Sequence, residues 1–99
     1  MEVLNIAEYD DEGVVFGYPD QIELDIIIKN GLLIIVEIKS LMSKPDMYIF
    51  ERKARFYEKH HNREASEMIV ISPIVAPNAI QVAEKLGIRI YSYADEVKL

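Results

Sequence analysis

The chain contains no cysteine, so neither disulfides nor thiolate metal sites are available to it. No apolar run approaches a membrane span, and the amino terminus shows no basic segment leading into an apolar signal. These absences argue against a membrane partner and for a cytoplasmic location. Internal repeats, low-complexity tracts and linkers are lacking as well, and 99 residues suit one domain, 1–99, that buries a modest share of its surface. With 51% apolar and 28% charged residues, the composition excludes a disordered tail.

Positive charge is the most unevenly distributed property. The net charge of −6 opposes a nucleic-acid partner, since neutralising phosphates requires lysine and arginine. Residues 1–28 carry acids from Glu2 to Asp25 and no lysine or arginine. Residues 39–63, in contrast, hold Lys39, Lys44, Arg52, Lys53, Arg55, Lys59 and Arg63 against Asp46, Glu51 and Glu58. An acidic protein with one basic face is therefore admissible, and so is an ordinary solvated helix.

Val3–Tyr9 reads as a strand, broken by Asp10-Asp11-Glu12-Gly13, with Val14–Phe16 resuming extended structure as its hairpin partner. Ile22–Lys29 and Leu32–Ser40 flank Asn30-Gly31, a strong hairpin signal, and are aliphatic enough for central strands. A helix over Pro45–His60 follows, started by Ser43 or Lys44, with Met47, Phe50, Ala54 and Tyr57 on one face. Met68–Ser72 is a short buried strand, Pro77 opens a second helix that Gly87 ends, and Ile88–Tyr91 is the last strand. The order β-β-β-β-α-β-α-β implies an α/β fold with a mixed sheet flanked by helices.

Glu37 and Lys39 point the same way on their strand, roughly 6 to 7 Å apart. Asp25 on the preceding strand completes a compact group of two acids and a lysine, suited to a divalent metal and a phosphate, provided that it faces the same side. A plain two-residue turn at Asn30-Gly31 opposes Asp25 to Val36 and turns it away from Glu37. A three-residue bulged loop, Lys29-Asn30-Gly31, opposes Glu23 to Glu37 and leaves the other face wholly apolar, from Ile22 to Ile38. Because an unpaired buried carboxylate is costly, the bulged register is the expectation. Without convergence, the three residues reduce to a cross-strand salt bridge at a sheet end.

The hairpin with Asp25, then Glu37-Ile38-Lys39-Ser40, a helix with basic residues, Ile71-Ser72-Pro73, a helix and Leu86-Gly87-Ile88 together resemble the PD-(D/E)xK nuclease superfamily. Residues 17–93 are similar to archaeal nuclease-like domains of the DUF3782 type and, more distantly, to Holliday-junction resolvases. The resemblance implies a restriction-endonuclease-like fold and a metal-dependent nuclease acting on DNA. Asp25, Glu37 and the Ile38 carbonyl would hold magnesium or manganese, and Lys39 would orient or deprotonate the attacking water. Family members begin with a helix that carries a further glutamate, whereas this chain opens on a strand. Glu23 is then a better third acid than Glu8, and Asp20 of Pro19-Asp20 ranks below Asp25.

Tyr48, Arg52, Arg55 and Lys59 recur at helical spacing as a nucleic-acid-binding stripe, while Lys53 and Glu51 add little. His60 and His61 suit the negative helix end better than a metal. With one helix fewer than the family, two helices leave an apolar sheet face open, which favours a homodimer.

Overall fold

Asn30 and Gly31 take φ values of 52° and 76°, the pair of positive angles that a two-residue type I′ hairpin requires. They join β2 (Asp20–Lys29) to β3 (Leu32–Ile38) in this computed structural model, which describes residues 2–99. Pairing runs from Lys29 with Leu32 to Asp25 with Val36. The expected bulged loop is therefore not formed.

The first strand, β1 (Glu2–Asp10), pairs antiparallel with β2 along its whole length, ending at Asp10 opposite Asp20. Val14–Phe16 is not a strand but a set of turns. The Val15 N–H donates to Asp10 Oδ2 at 2.9 Å, and Val15 itself is buried, so the loop serves as a plug for the core rather than as a sheet edge. A Cβ on Gly13, where φ is +69°, would meet the Tyr18 backbone at 2.9 Å, which fixes glycine there.

Beyond β3 come β4 (Leu41–Met42), α1 (Lys44–His61), β5 (Glu67–Ile71), β6 (Ile74–Val75), α2 (Pro77–Leu86), β7 (Ile88–Tyr91) and a 3-10 turn over Ala94–Glu96. The main sheet has the order β1-β2-β3-β5-β7, antiparallel as far as β3 and parallel from β3 to β7. The expected element order holds broadly: the strand expected at 14–16 is absent, and two short strands, β4 before α1 and β6 before α2, are added and pair in parallel as a separate small sheet.

Helix limits follow from capping chemistry. Ser43 and Asp46 form a reciprocal capping box with Pro45 in the first turn, and Asn62 ends α1 in the left-handed region. Gly87 ends α2 in the same way. No helix among the described residues is long and apolar enough to cross a membrane.

Alternation divides the strands between two cores. Ile22, Leu24 and Ile26 of β2 join Leu33 and Ile35 of β3 beneath both helices, against Met47, Phe50, Ala54, Tyr57, Ala79 and Ala83. Ile34, Val36 and Ile69 form a second cluster on the outer face, flanked by Ile27, Ile71, Tyr91 and Val97. That outer face holds an open groove of about 450 Å³ bordered by Val3, Ile38 and Leu99.

Candidate functional site

Strand β3 ends in the middle of the sheet, where it turns from an antiparallel to a parallel neighbour. Ligands in open α/β sheets collect outside the carboxyl ends of such strands. Glu37 lies near that end and faces the helices. Lys53 of α1 reaches it with Nζ 3.3 Å from Oε2, and the two side chains are only 15% and 17% exposed. Burial pushes the Glu37 carboxyl above the usual carboxylate range; Lys53 and then Lys39 pull it down, and the charge of Asp25 adds to the rise.

Lys39 follows the strand, its N–H donating to the Ile71 carbonyl at 3.1 Å. Its ammonium is 3.0 Å from Asp46 Oδ1, and the side chain is 47% exposed. Asp46 Oδ2 accepts from the Ser43 N–H at 2.9 Å while the Asp46 N–H donates to Ser43 Oγ at 3.3 Å. Burial would raise the Asp46 carboxyl, but the hydrogen bonds from Ser43 and Lys39 outweigh it and hold the group below its ordinary range. Two acid–lysine pairs, Glu37 with Lys53 and Asp46 with Lys39, thus stand on the helix side of the sheet.

Asp25 does not join them. It shares a face with its partner Val36, borders the outer groove and accepts a 2.8 Å hydrogen bond from Asn5 Nδ2. The expected convergence of Asp25, Glu37 and Lys39 on one face does not form, because an Asn-Gly turn of two residues sets the opposite parity. Glu23 falls with Asp25, opposite Ala7 of β1, and not opposite Glu37. The Ile38 side chain borders the outer groove. Asp20 Oδ1 accepts from the Gln21 N–H, and Glu8 bonds to His61 at 2.7 Å.

The helix stripe is also largely engaged within the chain. Arg52 Nε donates to the Val15 carbonyl at 2.8 Å, Arg55 binds Glu51 and Glu58, and Tyr48 lies beneath Lys85. Lys59 remains exposed. Lys53, expected to add little, is the residue that touches Glu37. Its signal was present in the sequence: it lies three residues after Phe50 and four before Tyr57, on the stripe that packs inward.

The sequence profile of the PD-(D/E)XK nuclease superfamily matches residues 20–89. The chain belongs to that superfamily. A crystal structure of a repair endonuclease from Pyrococcus abyssi superposes with a TM-score of 0.59 at 13% identity, over 90% of this chain and 38% of that one. At that identity the likeness is one of fold, and the chain spans 38% of the length of the endonuclease it resembles. A search of curated proteins found no match.

The family resemblance brings with it a divalent cation. The residues do not fit one as they stand. Among the described residues no three of His, Asp and Glu gather to hold a metal; Glu37 is engaged by Lys53, Asp46 by Lys39 and its own helix cap, and Asp25 lies across the sheet. What this nuclease-superfamily site does offer is a half-buried carboxylate with heightened proton affinity and, next to it, an exposed ammonium.

Proposed function

We propose that residues 1–99 work as one nuclease domain hydrolysing phosphodiester bonds in DNA. The observation that carries this reading is Glu37-Ile38-Lys39 at the carboxyl end of β3, in a chain whose family is known. Glu37 accepts a proton from water as its oxygen attacks phosphorus; burial makes that carboxylate a better base than an exposed one. The Lys39 ammonium meets the charge growing on the phosphate oxygens as the P–O bond to the leaving oxygen breaks, and that oxygen departs as the alcohol with a proton taken from solvent. Asp46 holds Lys39 in place until the phosphate arrives.

Cleavage of duplex, branched and single-stranded DNA, with RNA alongside, tests the reading. Magnesium and manganese are both supplied, as the family resemblance suggests. Products formed by the unaltered chain and lost in Glu37→Gln and Lys39→Met support it; equal rates in all three chains overturn it.

The split of Asp25 from Glu37 favours a second reading, a nuclease-fold module that binds nucleic acid without cutting it. Metal-independent binding that weakens with salt and with Arg52 or Arg55 substitution, in the absence of any cleavage, would decide for that reading. In either case we propose a homodimer in which a second copy covers the outer groove, where Val3 of the edge strand and Ile38 remain 65% and 62% exposed. Sedimentation at micromolar concentration reads the state directly, and Ile38→Glu should return the chain to a monomer.

A further inference from the structure

We propose that Lys53 is the positioning residue of Glu37, a tethered cation that stands where a divalent metal would have to bind. The proposal deepens the nuclease reading of Glu37, but its test reads metal affinity rather than cleavage, so the two can fail separately.

Three observations carry it. Lys53 Nζ is the ammonium in contact with Glu37, at 3.3 Å, whereas Lys39, the lysine of the short motif, has its ammonium on Asp46 at 3.0 Å. The exposures differ in the same sense: 15% for Lys53 against 47% for Lys39. Lys53 is also held by its element, since it rises from the inward stripe of α1 between Phe50 and Tyr57, both buried. Lysine stems pack along apolar surface and place the ammonium at the end, and here that end is the Glu37 carboxylate.

A hard cation takes carboxylate oxygens at about 2.0–2.1 Å for magnesium. It would meet the Lys53 ammonium at the same carboxylate, whose Oε2 the lysine already holds, and two positive charges at one half-buried carboxylate repel. Lys53 thus opposes metal loading at Glu37 for as long as its ammonium stays on the carboxylate. Removing the lysine charge should free the ligand, whereas removing Lys39, which is occupied by Asp46, should free little.

Manganese titration of the full chain, followed by the paramagnetic signal of the free ion, tests this. Lys53→Met should bind manganese about tenfold more tightly than the unaltered chain, with Lys39→Met and Lys53→Arg staying within about twofold of it. Adding Glu37→Gln to Lys53→Met should abolish the gain. Unchanged or weaker affinity in Lys53→Met, an equal gain in Lys39→Met, or a gain that survives Glu37→Gln would each overturn the proposal. Should Lys53→Met fail to fold, the lysine ammonium resonances of the unaltered chain decide instead. Slow solvent exchange at Lys53 that is lost in Glu37→Gln supports the contact, and exchange as fast as that of Lys39 refutes it.

Discussion

On the helix-covered face of the sheet, Ile22, Leu24, Ile26, Leu33 and Ile35 are no more than 3% exposed, while on the outer face Val3 and Ile38 stand more than 60% exposed beside a groove. Both faces are built from the same strands and the same aliphatic residue types. What separates them, among the described residues, is cover: two helices on one side, and little beyond Val97 and the 3-10 turn on the other. Each face also received one acid of the expected pair, Glu37 beneath the helices and Asp25 in the groove. An even number of positions separates the two, so a two-residue turn places them on opposite sides. Helix cover then gives the two acids different chemistry: a lysine partner and raised proton affinity for Glu37, an amide partner for Asp25.

The sharpest way to break this contrast is to neutralise each acid in turn. Glu37→Gln should lower cleavage by about 10²-fold or more, on the scale of a lost general base, and Asp25→Asn should leave the rate within a few-fold. Equal losses in steady-state assays would mean that the two acids act together despite the register. Next in size is packing. Phe50→Ala, at a fully buried position under the helices, should cost about 3–5 kcal/mol. Ile38→Ala on the open face should stay within about 1 kcal/mol in dilute protein, where the copies separate. Urea midpoints check both, and a loss at Ile38 that grows with protein concentration is the sign of a second copy on the outer face.

Much of this was legible in the sequence, for reasons that differ by element. The α1 boundaries could be read because Ser43, Pro45 and Asp46 are capping chemistry rather than composition. Asn30-Gly31 correctly announced the hairpin. Its parity does not follow from seeking one clean apolar face, because this sheet buries aliphatic residues on both. Two-residue strands such as β4 and β6 carry no periodicity to detect. Val14–Phe16 looked like a strand, but its conformation is set by Asp10 and Arg52, a tertiary effect invisible to local pattern. The charge of Lys53 points to the surface, whereas its place on the inward stripe of α1 marks it as half-buried.

A smaller contrast lies between the two carboxylates on the helix side. Ser43→Ala removes one half of the capping box and should cost about 1 kcal/mol at neutral pH, a loss that thermal unfolding would register.

The smallest effects come from titration, and they have opposite signs. Glu37 binds its proton more tightly in the fold than in the unfolded chain, because burial penalises its charge. Its contribution to stability is fully present below the unfolded value and is lost as pH rises through the raised folded value. Asp46 is held below its ordinary range by Ser43 and Lys39. Its contribution is present above the unfolded value and is lost as pH falls through the depressed folded one. Raising the pH from the acid side through the ordinary carboxylate range and just beyond it should therefore narrow the margin of the unaltered chain over Glu37→Gln and widen its margin over Asp46→Asn. Urea midpoints collected across that window measure both slopes. A Glu37→Gln curve parallel to that of the unaltered chain would mean that Lys53 offsets the burial of Glu37 in full, and the difference between the two acids would then rest on geometry alone.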